Sequence, residues 1–148
     1  MNPVLKLSKK LDYAVAILVY LVKKGESKIS SAKEIASSFK LPLPITSALL
    51  KILTKHEIVR SIRGIKGGYI ISIKPSELTM DKIILAIDGP IRLADCVSFS
   101  SSKHSKRCLL KNCCPVVAPI RKLHSSIVDL MAKITLKQIA NESDDIEF

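Results

Sequence analysis

"IVRSIRGIKGGYIISI", Ile58 to Ile73, sets two apolar arms around a glycine-rich centre. Ile58, Arg60 and Ile62 alternate along one arm, and Tyr69, Ile71 and Ile73 along the other. This period of two is the strand pattern. Between the arms, Gly64, Gly67 and Gly68 are expected to supply the positive φ values that a hairpin tip or bulge requires. The stretch therefore reads as a two-stranded ribbon, with Arg60, Arg63 and Lys66 beside or on its tip.

Three helices are legible upstream of the ribbon. Leu11 to Val22 is apolar almost all round, so it is expected to be the central buried helix, ending near Lys23-Lys24-Gly25. "SSAKEIASSF" opens with Ser31 and places Glu34 three residues on, the capping-box spacing. "LPLP" then breaks the chain, because each proline pushes its predecessor out of the helical region. Pro44 suits the first turn of a third helix, Pro44 to His56. That helix is expected to bury Ile45, Leu49, Ile52 and Leu53 and to leave Thr46, Ser47, Lys51 and Lys55 on its other face. Three helices followed by a basic ribbon is the order of a winged helix-turn-helix.

Downstream, "SELTMDKIILAID" reads as a fourth helix ending at Gly89-Pro90, and a cysteine-rich loop spans 91–114. Ile120, Leu123, Ile127, Leu130 or Met131, and Ile134 then recur in steps of three and four. That is the narrow stripe of a helix packing on another helix, so 115–134 is read as a dimerisation helix. The tail "NESDDIEF" is acidic and expected to fray. The fold class is thus mainly α with a small β-wing, divided into a winged-helix domain, 1–75, and a linker, loop and dimerisation region, 76–148.

Charge follows the same division. Residues 1–75 hold 14 Lys/Arg against 4 Asp/Glu, and residues 76–148 hold 10 against 9. A basic half beside a neutral half points to a polyanion partner, with nucleic acid ahead of a membrane surface. The longest apolar run, Tyr13 to Val22, is ten residues, about half of the roughly 20 that cross a bilayer. With no secretion signal at Met1, a cytoplasmic location is expected. No nucleophile–base pair, phosphate loop or paired carboxylate stands out, which argues against an enzyme.

In a helix-turn-helix the second helix enters the major groove, led by its N-terminal residues. Thr46, Ser47 and Lys51 are the candidates there, and none is an Arg, Asn or Gln able to read a base bidentately. Arg60, Arg63, Lys66 and Tyr69 are the ribbon's candidates, where guanidinium groups suit a narrow minor groove.

All four cysteines, Cys96, Cys108, Cys113 and Cys114, lie within nineteen residues. A reducing cytosol disfavours a structural disulfide. Zinc prefers two pairs of spaced ligands, whereas Cys96 stands alone and Cys113 and Cys114 are adjacent. Iron–sulfur clusters accept looser spacing, since their thiolates contact different irons. Zinc, an iron–sulfur cluster and a thiol redox switch all stay open on spacing alone.

"KLSKKLDYAVAILVYL", "AKEIASSFKLP", "RSIRGIKGGY" and "IDGPIRLADCV" resemble the IscR/NsrR-type (Rrf-two) family of bacterial winged-helix regulators. The resemblance runs over 5–140, and the ribbon signature "RGxxGGY", Arg63 to Tyr69, is its most specific part. It looks most like the subgroup that regulates the SUF iron–sulfur assembly operon. The resemblance implies a homodimer on double-stranded operator DNA, with an iron–sulfur cluster, 2Fe–2S ahead of 4Fe–4S, governing affinity. By position it implies Cys96, Cys108 and Cys114 as ligands, leaving Cys113 as an extra thiol or a substitute. The eleven residues between Cys96 and Cys108 depart from the family's common five. Val117 stands where one type carries a histidine ligand, and His124, further along, is read as a surface residue. The "DYA" start matches the nitric-oxide-sensing type, whose aspartate ligates the partner's cluster, which puts forward Asp12. Asp12 also suits the positive end of a helix, and that reading stands beside the first. Two further readings remain: a regulator of this fold sensing by zinc or cysteine oxidation, and a winged-helix iron–sulfur carrier or interaction module without specific DNA binding.

Overall fold

Ser8 starts the first helix by accepting a hydrogen bond from Leu11 N–H at 3.1 Å, and Asp12 follows in the first turn. Lys23 and Lys24 sit in the last turn, and Gly25, at φ 111°, ends it. Cap, acidic start, basic end and glycine stop all agree, so α1 (Lys9–Lys24) runs about two residues beyond its apolar core at each end. The computed structural model describes residues 7–25, 27–94, 110 and 113–143. It continues with α2 (Ala32–Ser38), α3 (Leu43–Lys55), β1 (Val59–Ile62), β2 (Gly68–Ile71), α4 (Met80–Ile87), α5 (Val117–Lys133) and α6 (Leu136–Glu142). The protein is mostly helical, with one two-stranded antiparallel sheet.

The helix-turn-helix is held by features without a sequence signature. At the end of α2, Leu41 N–H bonds Ala36 C=O at 2.9 Å and Lys40 N–H bonds Ser37 C=O at 3.3 Å. At the end of α3, Ile58 N–H bonds Leu53 C=O and Glu57 N–H bonds Thr54 C=O, both at 3.0 Å. Both are Schellman closures, which need a left-handed residue at their centre and usually recruit glycine. Here Lys40 (φ 52°) and Glu57 (φ 59°) hold that conformation. Because an L-residue is strained there, Glu57→Gly is expected to raise unfolding free energy by about 0.5–1 kcal/mol, read by urea denaturation.

The Ser31 cap forms, with its hydroxyl accepting from Glu34 N–H at 3.1 Å. The capping box stays half made, because the Glu34 carboxylate turns to α1 instead. It accepts from Tyr20 O–H at 3.0 Å and from Lys24 Nζ at 2.7 Å. Those bonds hold Glu34 below the usual carboxylate range, chiefly through Lys24, and raise Lys24 in turn. Tyr20 also meets Phe39 edge-on, with ring centroids 5.9 Å apart.

The wing strands pair Val59 with Ile71, Arg60 with Ile70, Ser61 with Tyr69 and Ile62 with Gly68. Tyr69 also bridges back to Ser30, through Tyr69 N–H to Ser30 C=O at 2.8 Å and Ser30 N–H to Tyr69 C=O at 3.1 Å. Only Gly64 of the three wing glycines has a positive φ, 131°. Gly67 and Gly68 are needed for a different reason, the close approach of backbone. A Cβ on Gly67 would lie 2.4 Å from Ile62 O, and one on Gly68 would lie 2.4 Å from Ser30 O.

One hydrophobic cluster takes residues from both sides of position 75. Leu11, Ile17, Leu18, Leu21, Leu50 and Leu53 pack with Leu78, Ile83 and Leu136. The last member belongs to α6, a helix not expected from the sequence, which follows the long α5 and reaches the start of the acidic tail. Thr135 and Gln138 form a complete capping box, with bonds of 3.3 Å and 2.8 Å, and α6 buries Leu136 and Ala140. Met80 N–H to Ile134 C=O and Leu136 N–H to Leu78 C=O, at 2.9 Å and 2.8 Å, tie the α5–α6 corner to the start of α4.

Candidate nucleic-acid interface and cysteine site

The buried stripe of α3 is Thr46, Leu49, Leu50 and Leu53, the i, i+3, i+4, i+7 pattern of one helix face. Thr46 is therefore not on the outward face expected for it, being 0% exposed. Its hydroxyl donates to Pro42 C=O at 3.3 Å, which satisfies it in the core. Ile45, expected inside, is exposed, as is Leu43. Ser47 is half-buried and Lys51 exposed, so these two keep access to a ligand at α3.

On the wing, Arg60, Arg63 and Lys66 are all exposed. None of them meets a carboxylate among the described residues, so their charge is uncompensated locally. Tyr69 differs from them. It is half-buried and packs against the core cluster, anchoring the ribbon through its backbone bonds to Ser30. The tip itself is the turn Gly64-Ile65-Lys66-Gly67, closed by Gly67 N–H to Gly64 C=O at 2.9 Å.

Cys113 and Cys114 are both free thiols, the first exposed and the second half-buried. Cys113 N–H closes a turn onto Leu110 C=O at 3.0 Å, and α5 begins three residues after Cys114. Cys96 and Cys108 lie outside the described residues. Among the described residues no three His, Cys, Asp or Glu side chains gather as a metal site. A free thiol at Cys114 and an exposed carboxylate at Asp12 are nonetheless donor types that suit a thiolate-held iron group. Asp12 lies on an apolar groove of about 810 Å³, where it is the only charged group among the described lining residues.

Two bonds fix the entry to the cysteine loop, and neither was legible in the sequence. Ser8, while capping α1, donates its hydroxyl to Asp88 Oδ1 at 2.7 Å, across eighty positions. Asp88 ends α4 immediately before Gly89. His124 is 5% exposed rather than a surface residue, and its Nε2 meets Ile91 C=O at 3.0 Å. A carbonyl only accepts, so the imidazole donates and pins the start of the loop to α5. The loop thus leaves the core between the beginning of α1 and the middle of α5.

The arrangement has relatives. The HTH-type transcriptional regulator NsrR of Bacillus licheniformis is 25% identical over 142 residues, covering 96% of each chain. The HTH-type transcriptional regulator CymR of Bacillus subtilis is 34% identical over 87 residues, 59% of this chain and 63% of that one. The solved structure of B. subtilis CymR, described as the global cysteine regulator, superposes with a TM-score of 0.71. It is 27% identical and covers 95% of this chain and 99% of that one. T. potens IscR shares the fold, with a TM-score of 0.69 at 24% identity, covering 97% and 92%. These relatives are regulators, not enzymes. No described helix is long and apolar enough to cross a membrane. Residues 7–142, nearly the whole described chain, match the Rrf2 family, iron-dependent transcriptional regulators, and to that family this chain belongs.

Proposed function

We propose that this regulator is a cytoplasmic homodimer that binds operator DNA with an affinity set by an iron–sulfur cluster, and that its targets are SUF-type iron–sulfur assembly genes. The observation that carries the DNA reading is the wing, where Arg60, Arg63 and Lys66 stand exposed and uncompensated on a ribbon locked by Gly67 and Gly68. With Ser47 and Lys51 on α3, these residues hold phosphates and groove edges. In a two-fold dimer the two α3 helices enter grooves roughly 34 Å apart. The dimer reading is supported by α5, where Leu123 and Leu130 are exposed at heptad spacing.

Cys96, Cys108 and Cys114 are the proposed ligands, with the partner subunit's Asp12 as the fourth and Cys113 outside the set. A 2Fe–2S cluster held in this way would have one iron on a carboxylate, a harder and weaker ligand than thiolate, and so open to oxidants or nitric oxide. The chain's own contribution is mechanical. Ser8–Asp88 and His124–Ile91 connect the loop entry to α1, which packs on α3, and to α5, which packs on α4, so a change in the loop would reach α3 through α1 and α4. A tenfold change in operator affinity requires only about 1.4 kcal/mol of such coupling.

Arg63→Ala is expected to weaken operator binding and to reduce the slope of log affinity against log salt by about one. Fluorescence anisotropy over a salt series reads both, and an unchanged slope would remove the wing from DNA binding. The likeness to CymR, the global cysteine regulator of B. subtilis, favours a second reading, in which the free thiols at Cys113 and Cys114 sense without a cluster. Iron and sulfide analysis separates the two.

A further inference from the structure

The wing carries an apolar group where turn chemistry disfavours one. Ile65 is the first corner of the Gly64–Gly67 turn and is fully exposed, at 108%. Such corners favour Pro, Gly, Asn, Asp or Ser, whereas a β-branched side chain prefers a strand. The turn leaves Ile65 no route back to the core. Gly64 precedes it at φ 131°, a backbone state closed to most side chains. Gly67 closes the loop against Ile62 O, with no space for a Cβ. The ribbon therefore presents an apolar point, on a hydrogen-bonded turn, between two exposed cations, Arg63 and Lys66. Water is a poor environment for that point. A protein surface of like polarity would leave the flanking charges without partners. A nucleic-acid groove satisfies both, with phosphates for the cations and sugar edges and base-pair floor for the methyl groups.

We infer that Ile65 is an apolar wedge of the wing, seated on the floor of the DNA minor groove and selecting A·T-rich steps there. This rests on the DNA-binding reading above. The floor of an A·T-rich groove lacks the guanine 2-amino group, so a branched aliphatic side chain can approach it. Apolar side chains in the minor groove also unstack and kink base steps, most easily at flexible pyrimidine–purine steps. Arg63 and Lys66 then contribute attraction, and Ile65 contributes discrimination.

The test uses the full-length dimer, purified anaerobically, and the duplex that it enriches from a randomised library. The base pairs under the wing are located by footprinting and changed from A·T to G·C or to inosine·C, which lacks the 2-amino group. Wild-type protein is expected to tolerate inosine·C and to lose about tenfold in affinity on G·C. Ile65→Ser should lose about tenfold on the A·T duplex, with an unchanged salt slope and melting temperature, and should bind all three duplexes alike. Wild-type affinity of Ile65→Ser on every duplex would overturn the wedge while leaving the DNA reading intact. Failure of wild-type protein to enrich any duplex would overturn both.

Discussion

Replacing Gly68 by alanine is expected to lower the unfolding free energy by about 3 kcal/mol, the sum of overpacking and of buried backbone bonds left unmade. The added Cβ would sit 2.4 Å from Ser30 O and 2.7 Å from Ser30 C, and neither atom belongs to a flexible side chain. To relieve the clash, the strand must part from Ser30, breaking its two backbone bonds with Tyr69. Ser30 is 0% exposed, so water does not replace those bonds cheaply. The anchor lost is that of the wing, so DNA affinity should fall with stability. Ser30→Ala separates steric from side-chain effects, because the Ser30 hydroxyl is buried with no hydrogen-bond partner among the described residues. That change should be neutral or stabilising in urea denaturation. Wild-type stability of Gly68→Ala would show that the wing does not depend on the Ser30 bridge.

The second large effect is expected at the doubled cysteine. Cys114→Ser should lower iron and sulfide content by more than about tenfold, because loss of a direct ligand costs at least as much as loss of its supporting partners. Cys113→Ser should retain the cluster and its visible absorption. The assignment rests on position and burial. Cys113 is exposed in a turn closed on Leu110, while Cys114 is half-buried and leads into α5, whose positive end favours a thiolate. Loss of iron in Cys113→Ser alone would reverse the assignment and shorten the ligand spacing by one residue.

What the sequence made legible was whatever rests on local chemistry. Ser31, the apolar body of α1 and the alternation around Arg63 each declare a conformation that depends on near neighbours, and each element is found where they put it. The helix-turn-helix closures were invisible, because Lys40 and Glu57 occupy a glycine conformation without being glycine. Tertiary packing overrides that local preference. Thr46 was misplaced by its hydroxyl, although its spacing to Leu49, Leu50 and Leu53 would have put it inside. A polar group that back-bonds its own helix can be buried at little cost. Gly67 and Gly68 were identified correctly as special, but for the wrong reason. The demand on them comes from Ile62 O and Ser30 O, atoms brought close only by the fold.

At the candidate site the division is similar. Charge and the ribbon's cations pointed to a polyanion partner, and Arg60, Arg63 and Lys66 are exposed as that reading requires, since a surface cation shows in sequence as plainly as in structure. The Ser8–Asp88 and His124–Ile91 bonds join residues eighty and thirty-three positions apart, and no spacing rule reaches that far. They hold Asp88 to the start of α1 and Ile91 to α5, at the described beginning of the loop.

On the proposed function, an iron–sulfur cluster sets the affinity of this protein for DNA. Anaerobic purification, with visible absorption, iron and sulfide analysis, and anisotropy on one library-selected duplex before and after cluster removal, tests it most directly. Coloured protein with bound iron and sulfide is expected, with at least about a tenfold difference in affinity between the two forms, equivalent to about 1.4 kcal/mol of coupling. Colourless protein that stays free of iron after reconstitution, or equal affinities with and without the cluster, would contradict it.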